Sequence, residues 1–393
     1  MANLLDYLTW RGDLSFRERP LNEVDNLIFS ELAYVDMSHI VPSPALGGFV
    51  SVRELAHTYV RLGRKQDDLF FNDPVPLLLA AGESARFGEV RVGRYVNHID
   101  SERQVQFSAM VFLLPEETVY VAYRGTDNSV VGWREDFNFS FGETEGQKES
   151  VAYLLSAADA LPGPLIIGGH SKGGNLAVYA AAFSGEAVRP RIRHVYTNDG
   201  PGFVKALIAR EEYQSLLDRM DLIVPETSVV GILLSHLERK KVIKSDASGV
   251  MQHNPMSWQV LGAAFEEVDS QSSASVFMDR ALQEWLRDLD EEQRKAFVDA
   301  LFDAMDASGA KTLFDLSANW RDSYSALLRS LFELEPERRG EMMGMIKKLA
   351  SAGQSVFLSD ARAAIREKLE QAAKRLKLPS PALKAGKASS LSE

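Results

Sequence analysis

Residues 169–173 of the sequence, Gly-His-Ser-Lys-Gly, match the pattern G-x-S-x-G. In this pattern two glycines let the backbone turn sharply from a strand into a helix, so that the serine hydroxyl is exposed as a nucleophile. Three fixed letters in five are weak evidence alone, but the flanking residues fit. The apolar run PLIIGG (164–169) is typical of a buried strand, and the small-residue run NLAVYAAAF (175–183) is typical of a helix. The pattern therefore predicts Ser171 as a catalytic nucleophile.

A serine nucleophile needs a histidine that takes its proton. In this kind of fold the histidine follows both the serine and the acid along the chain, which leaves three of the seven histidines. His194 begins an apparent strand, His236 falls in a helical pattern, and His253 lies in a loop after the strand KVIKS. Because loops at strand ends present the catalytic histidine, we favour His253. We expect His194 to be hydrogen-bonded at a sheet end and His236 to be a surface residue or a helix cap.

The carboxylate that orients this histidine has several candidates. Asp199 opens the turn DGPGF at the carboxyl end of the strand HVYTN. Asp221 and Glu226 flank the next strand, DLIVP, and Asp246 shares the loop of His253. The position at the carboxyl end of a strand favours Asp199, with Glu226 and Asp221 kept as alternatives.

Acyl transfer also requires donors for an oxyanion, typically the N–H after the nucleophile and another from an early strand-to-helix loop. Lys172 supplies the first. After the strand VYVAY the chain reads Arg-Gly-Thr-Asp (124–127), where Thr126 can donate through its N–H and its hydroxyl. We also predict an ion pair between Arg124 and Asp136 that supports this loop from behind the site.

These motifs resemble those of known lipases. The segment VAYRGTDNSVVGWREDF is similar to the FRGT…W..D signature of class 3 (fungal-type) lipases, and GGHSKGGNLA is similar to their GHSLGGALA elbow. The order LAYVDM, YRGTD, GHSKGGNLA, NDGPGF, VPETSVVG and QHNPMSWQV resembles still more closely a bacterial lipase-like family of unknown function within the α/β-hydrolases. The resemblance covers roughly residues 1–270 and extends into the helical C-terminal part.

The resemblance implies an α/β-hydrolase with Ser171 as the nucleophile, His253 as the base, and Thr126 and Lys172 around the oxyanion. The DGPGF turn is also similar to the Asp-containing turn of pancreatic-type lipases, which implies Asp199 as the acid.

The sequence departs from the lipase pattern at three places. Class 3 lipases carry their acid one strand later, in an N..D.VP pattern, and the spacing of DLIVPE differs, which weakens Asp221 and keeps Glu226 as an alternative. Lys172 replaces an apolar residue of the lipase elbow, and Asn175 replaces a small one. We expect the Lys172 side chain to lie along the helix with its ammonium group in water; contact with a polar or anionic substrate group is the alternative.

The segments around these motifs alternate between strand and helix. Residues 20–36 carry apolar side chains at three- and four-residue steps, which predicts a helix that covers a sheet. The runs 104–114 and 118–123 predict a β-hairpin, while residues 40–100 give no clear assignment. Further strands are predicted at 164–169, 194–198, 221–225 and 241–245, with helices near 146–160, 203–218 and 229–238. This alternation predicts an α/β fold with a mostly parallel central sheet flanked by helices.

After about residue 270 only helical periodicity persists. We therefore predict a catalytic domain at 1–270, a helical extension or cap at 271–378 and a disordered tail at 379–393. The segment 362–387 holds eight basic and two acidic residues, a charge of +6 within a total of −11, so the remaining chain carries −17.

The composition excludes several classes of protein. The absence of cysteine from 393 residues excludes disulfide scaffolds, thiolate metal sites and a cysteine nucleophile. An acidic total argues against general nucleic-acid binding. Because H-E-x-x-H, EF-hand, P-loop and dinucleotide patterns are absent, we expect no metal and no cofactor. Asp6 interrupts the start and no apolar run reaches about 18 residues, which predicts a cytoplasmic protein.

The sequence thus predicts a serine hydrolase that cleaves carboxylic esters, lipids among them, through an acyl-enzyme intermediate. A thioesterase or an acyltransferase would use the same residues. A non-catalytic binding or scaffold protein is the alternative from another class, supported by the helical half and the basic segment 362–387, which could also contact an anionic membrane surface weakly. The retention of Ser171, His253 and a complete YRGT loop favours the enzyme.

Overall fold

The structure is a computed structural model that describes residues 2–64, 73–100, 105–126 and 143–287, with short pieces at 292–293, 339–340, 343–344, 347–348 and 351. In these ranges the helices are α1 (Leu4–Arg11), α2 (Glu23–Leu32), α3 (Val52–Arg61), α4 (Val75–Glu83), α5 (Glu145–Ala160), α6 (Lys172–Phe183), α7 (Lys205–Ile208), α8 (Glu211–Gln214) and α9 (Ser273–Arg287). The strands are β1 (Phe49–Ser51), β2 (Arg91–Asp100), β3 (Val105–Leu113), β4 (Val119–Tyr123), β5 (Leu165–His170), β6 (Ile192–Asn198), β7 (Met220–Pro225), β8 (Arg239–Ile243), β9 (Val260–Leu261) and β10 (Ala264–Phe265).

Strands β1 to β8 form one sheet in which each strand pairs with its neighbour in sequence. The pairs from β1 to β4 are antiparallel, and the four pairs from β4 to β8 are parallel. The predicted hairpin is confirmed, with Ala109 opposite Tyr123 and Leu113 opposite Val119. Because parallel strands end at the same edge of a sheet, the loops after β4, β5, β6 and β7 converge there.

The side chains of β4 alternate between two cores, as a strand buried on both faces requires. Tyr120 and Ala122 belong to the core beneath α1 to α4. Val119, Val121 and Tyr123 belong to the core beneath α5 and α6. Helices therefore cover both faces of the sheet, as the sequence predicts.

Buried polar contacts fix α2, which lies within the helix predicted at 20–36, over the sheet. The carboxylate of Asp25 accepts from Nε and Nη2 of Arg86 at 2.7 and 2.5 Å, and both side chains are fully buried. One residue further, Nδ2 of Asn26 donates to Oδ1 of Asn198 at 2.9 Å. Since Asn198 is the last residue of β6, this bond ties α2 to the edge where the loops converge.

The predicted helices after β6 are wrong. Residues 203–218 form two single-turn helices and a 3₁₀ turn instead of one helix, and 229–238 form turns and extended backbone. In the second segment the N–H of Gly231 donates to a carboxylate, and Ser235 and Phe203 exchange backbone hydrogen bonds. Because these backbone groups find partners elsewhere in the chain, tertiary contacts override the local helical pattern.

Of the predicted helical extension, α9 and the short pieces beyond it lie within the described ranges. The tail at 379–393 and the basic segment 362–387 lie outside them, so the division into domains stays a prediction. Among the residues that the structure describes, no helix is both long enough and apolar enough to span a membrane.

Candidate active site

Ser171 occupies the turn between β5 and α6 with φ 57° and ψ −130°, a conformation that residues with a side chain rarely adopt. The turn is tight because Gly169 and Gly173 pack against each other. A Cβ atom on Gly169 would overlap the backbone of Gly173, and one on Gly173 would overlap the carbonyl oxygen of Tyr123. This is the geometry of a nucleophile elbow at the end of a buried strand.

Replacing Ser171 by glycine should stabilise the protein by about 1 kcal/mol relative to Ser171→Ala, because glycine adopts a positive φ without strain. The greater entropy of glycine in the unfolded chain offsets part of this gain. Both variants lack the hydroxyl, so comparing their free energies of unfolding in urea isolates the backbone contribution. If the glycine variant is no more stable than the alanine variant, the turn stores no such strain.

Asp199 and His253 form the central contact of the site. Nδ1 of His253 lies 2.6 Å from Oδ2 of Asp199, and both side chains are buried. The other carboxylate oxygen accepts from Oγ of Ser228 at 2.5 Å and from the N–H of Gly231 at 3.1 Å. With Oδ1 accepting from these donors, Oδ2 accepts from the imidazole, which places the hydrogen of His253 on Nδ1 and leaves Nε2 as the basic nitrogen.

The structure gives Asp221, the first alternative acid, partners other than His253. Asp221 lies at the amino end of β7, where it binds Nε2 of His194 at 2.9 Å and the guanidinium of Arg239 at 2.6 and 2.7 Å. Burial raises the pKa of Asp221, but the hydrogen bonds from His194 and Arg239 outweigh it and lower the pKa to about 2. His194 is thus hydrogen-bonded at a sheet end, as predicted. Glu226 follows β7, and its N–H donates to the carbonyl of Ile243.

Two side chains are more buried than the sequence predicts. Nζ of Lys172 donates to the carbonyl oxygen of Gln106 at 2.8 Å, and Lys172 is 1% exposed. His236 lies beside Glu238, with 3.4 Å between Nδ1 and Oε2, and its side chain is 13% exposed. The prediction that the Lys172 ammonium group lies in water is therefore wrong. His236 is also neither a surface residue nor a helix cap, because its side chain is largely buried and no helix forms at 229–238. The flexible stem of the lysine lets it reach the start of β3 beneath the elbow.

Asn175 joins three segments around the elbow. Its Nδ2 donates to the carbonyl oxygens of Pro201 and Gly202 at 3.1 and 2.9 Å, and its Oδ1 accepts from Nε2 of Gln147 at 2.8 Å. These bonds link α6 to α5 and to the turn that follows Asp199. The amide is therefore a structural connection at a position where the lipase elbow has a small residue.

The loop after β4 packs directly against the elbow. A Cβ atom on Gly125 would overlap Oη of Tyr34 and lie 2.6 Å from the carbonyl oxygen of His170, so this close approach requires glycine. Thr126 is half-buried in the same loop. Lys172 begins α6, where the first-turn N–H groups and the positive end of the helix dipole favour a negative charge. Both predicted oxyanion donors thus belong to segments that meet at the elbow.

The guanidinium of Arg124 is buried behind this loop. Within the ranges described, its Nε and Nη2 have no hydrogen-bond partner. The predicted partner, Asp136, lies outside the described residues, so the Arg124–Asp136 ion pair stays a prediction.

Two further features concern ligands. In the described part of the chain no group of three or more His, Asp or Glu side chains could hold a metal ion.

A cleft of about 680 Å³ lies between residues 38–47 and residues 95–98 of β2. It belongs to the stretch 40–100 that the sequence leaves unassigned, and its volume is in the range of small-molecule sites.

A family model described as Mbeg1-like matches residues 81–303, more than half of the chain. The chain belongs to the Mbeg1-like family. The matched range of this Mbeg1-like protein includes Thr126, Ser171, Asp199 and His253. The resemblance to a lipase-like family noted from the motifs is thereby confirmed. No curated protein matches the sequence.

Solved lipase structures are similar to this Mbeg1-like chain at low identity. The M37 lipase is 18% identical, with 52% of this chain and 68% of that chain covered and a TM-score of 0.34. The Rhizomucor miehei lipase in its propeptide complex is 17% identical, with coverages of 61% and 80% and a TM-score of 0.35. A fungal lipase in complex with an inhibitor is 16% identical, with coverages of 65% and 95% and a TM-score of 0.37. The structure itself confirms the predicted α/β-hydrolase fold, through its mostly parallel sheet, its helices on both faces and its elbow after β5.

Four contributors to the site were not predicted from the sequence. Ser228 and Gly231 hold the Asp199 carboxylate, while Tyr34 and His170 lie against the elbow and His253. Each lies inside a motif that carries the resemblance, with His170 in GGHSKGGNLA, Tyr34 in LAYVDM, and Ser228 and Gly231 in VPETSVVG, but only the first of these motifs by itself points to the site. The others are distant in sequence from the groups they contact, and no periodicity marks them.

Proposed function

We propose that this Mbeg1-like protein is a serine hydrolase that cleaves carboxylic esters through an acyl-enzyme intermediate. The observation that carries the proposal is the 2.6 Å contact between Oδ2 of Asp199 and Nδ1 of His253, next to the elbow that bears Ser171. A buried carboxylate that orients an imidazole is the arrangement by which a serine hydroxyl is activated.

In the first half of the reaction the Oγ of Ser171 attacks the ester carbonyl carbon while Nε2 of His253 takes the hydroxyl proton. The carbonyl π electrons move onto oxygen, and the oxyanion accepts hydrogen bonds from the N–H groups of Lys172 and Thr126. Asp199 stabilises the imidazolium through Nδ1–H. The tetrahedral intermediate then collapses, and His253 gives its proton to the alcohol that leaves.

In the second half, water repeats the same steps on the acyl-enzyme. His253 takes a proton from water, the hydroxide attacks the acyl carbon, and the proton passes to the Oγ of Ser171 as the carboxylic acid leaves. Both halves need the same oriented imidazole, so one Asp199–His253 contact serves acylation and deacylation.

The charges around the elbow support an uncharged ester as the substrate. The ammonium of Lys172 donates to the Gln106 carbonyl within the protein, and the residue is almost fully buried. Its charge is therefore not available to select an anionic head group. The proposal accordingly concerns esters in general, with the length of the acyl chain to be measured.

The test is covalent labelling of the purified chain with a fluorophosphonate, followed by mapping of the adduct by mass spectrometry. We expect one adduct, on Ser171, and loss of p-nitrophenyl ester hydrolysis in proportion to labelling. Protein unfolded in urea is the control, because it lacks the oriented imidazole. A folded protein that neither reacts with the fluorophosphonate nor hydrolyses the ester would refute the proposed function.

A further inference from the structure

His170, the residue before Ser171, contacts both the ring and the backbone of His253. The ring centroids of the two histidines are 4.6 Å apart with an angle of 34° between their planes. Nε2 of His170 lies 3.0 Å from the backbone oxygen of His253. His170 is also buried, so its position is determined by protein contacts.

The hydrogen bonds identify the tautomer of His170. A carbonyl oxygen can only accept, so Nε2 carries the hydrogen that bonds to the His253 oxygen. In the neutral ring Nδ1 is then an acceptor, and it lies 3.0 Å from Oη of Tyr34. The same hydroxyl lies 3.3 Å from the carbonyl oxygen of His170. Tyr34 therefore holds His170 on the side of the ring away from the His253 carbonyl.

The groups that face His170 favour its neutral form on balance. Burial first, and then the proximity of His253, lower the pKa of His170 well below its usual value. Oε1 of Glu31, on α2, lies 3.5 Å from Nδ1 of His170, and a negative charge at this place favours the protonated form of the ring. On the remaining side the ring of Trp258 packs edge-on. Because His170 stays neutral, it does not repel an imidazolium at His253, as a second cation at this distance would.

We propose that Tyr34 and His170 are positioning residues that set the place of the catalytic base. The chain of hydrogen bonds runs from the Tyr34 hydroxyl through the His170 imidazole to the His253 backbone, and it fixes that backbone relative to the elbow. This inference rests on the proposed function. An imidazole misplaced by about 1 Å can cost roughly 10²-fold in rate, so the effect of losing the chain is measurable.

The experiment compares steady-state hydrolysis of a p-nitrophenyl ester by wild type and three variants. His170→Phe keeps a ring but removes both hydrogen bonds, and its kcat should fall about 10²-fold with little change in KM. His170→Gln can offer an amide N–H near the place of Nε2, so its kcat should be about tenfold higher than that of His170→Phe. Tyr34→Phe removes one hydroxyl, and its kcat should fall about fivefold.

The double variant tests whether Tyr34 acts through His170. If it does, Tyr34→Phe/His170→Phe should have the kcat of His170→Phe to within about twofold. The matched control is Tyr153→Phe, since Tyr153 is 7% exposed like Tyr34 and its hydroxyl likewise donates to a protein oxygen, that of Arg94 at 2.8 Å. Tyr153 lies on α5, away from the elbow, and its variant should retain the wild-type kcat.

The inference is overturned if folded His170→Phe and His170→Gln keep the wild-type kcat, or if their KM rises while kcat does not fall. It is also overturned if the losses of kcat in Tyr34→Phe and His170→Phe multiply in the double variant. If His170→Phe does not fold, the kcat values of Tyr34→Phe and His170→Gln still show whether the hydrogen bonds of His170 position His253. Wild type that neither hydrolyses the ester nor binds the fluorophosphonate refutes the proposed function separately. An independent readout is the ¹⁵N spectrum of the imidazole, where His170 should remain neutral, with its hydrogen on Nε2, at a pH low enough to protonate an ordinary exposed histidine; a hydrogen on Nδ1 would contradict the chain of hydrogen bonds.

Discussion

Replacing Ser171 by alanine should lower kcat for ester hydrolysis by about 10⁴- to 10⁶-fold, and replacing His253 by alanine should have a similar effect. The reason is that the serine hydroxyl is a poor nucleophile at neutral pH unless a base removes its proton as it attacks. Either change removes one half of that step. Ser171→Ala should also abolish fluorophosphonate labelling.

The sharper part of this prediction concerns the double variant. Because the two side chains act as a unit, Ser171→Ala/His253→Ala should be no slower than either single variant to within about threefold. Hydrolysis is measured by release of p-nitrophenolate from the same ester, with thermal unfolding to show that each variant is folded. The His194→Ala variant is a suitable control, because His194 is engaged with Asp221 at another end of the sheet.

If His253→Ala hydrolyses the ester as fast as wild type, His253 is not the base. If His194→Ala also shows the full loss, the effect is one of folding rather than of catalysis. Losses of Ser171→Ala and His253→Ala that multiply in the double variant would mean that the two residues act in separate steps.

Replacing Asp199 by asparagine should lower kcat by about 10³- to 10⁴-fold while the protein remains folded. The asparagine amide has the same shape, but its Nδ2 donates where the carboxylate accepted. It can therefore hold His253 with the hydrogen on Nε2, the tautomer that cannot take the serine proton. The loss should appear in kcat rather than in KM.

Two other carboxylates provide matched controls for this change. Glu226→Gln and Asp221→Asn should keep kcat to within about threefold. Asp221→Asn should instead lower the free energy of unfolding, because it weakens the bonds to His194 and Arg239. A large loss of rate confined to Glu226→Gln would show that Glu226, and not Asp199, orients the base.

The candidate acid shows how far reasoning from the sequence reaches. The strand HVYTN ends at Asn198, so Asp199 is predicted at a strand's carboxyl end, and the structure has it there. The donors to its carboxylate are Ser228 and Gly231, and Gly231 lies in the segment 229–238, whose local pattern predicts a helix. The backbone of Gly231 bonds to the carboxylate because the strands β6 and β7 bring the two loops together. Such a contact depends on strand order, and strand order is not a local property.

The buried position of the Lys172 side chain also depends on a contact that is distant in sequence. The sequence places Lys172 after the nucleophile, and a lysine on a helix is normally solvated. The structure buries its ammonium against the Gln106 carbonyl, which lies 66 residues earlier in the chain. Only the packing of α6 over β3 and β4 puts this acceptor within reach.

What the sequence alone determined is the local part of this protein. The glycines around Ser171 require a sharp turn between a buried strand and a helix, and the apolar runs require a sheet covered on both faces. The tertiary structure decided which groups meet across the edge of that sheet. It alone brings Asp199 to His253, separated by 54 residues, and stacks His170 and Tyr34 against the elbow. The physical reason is that periodicity and turn chemistry act over a few residues, whereas these contacts arise from parallel strand pairing and from the packing of α2 on the sheet.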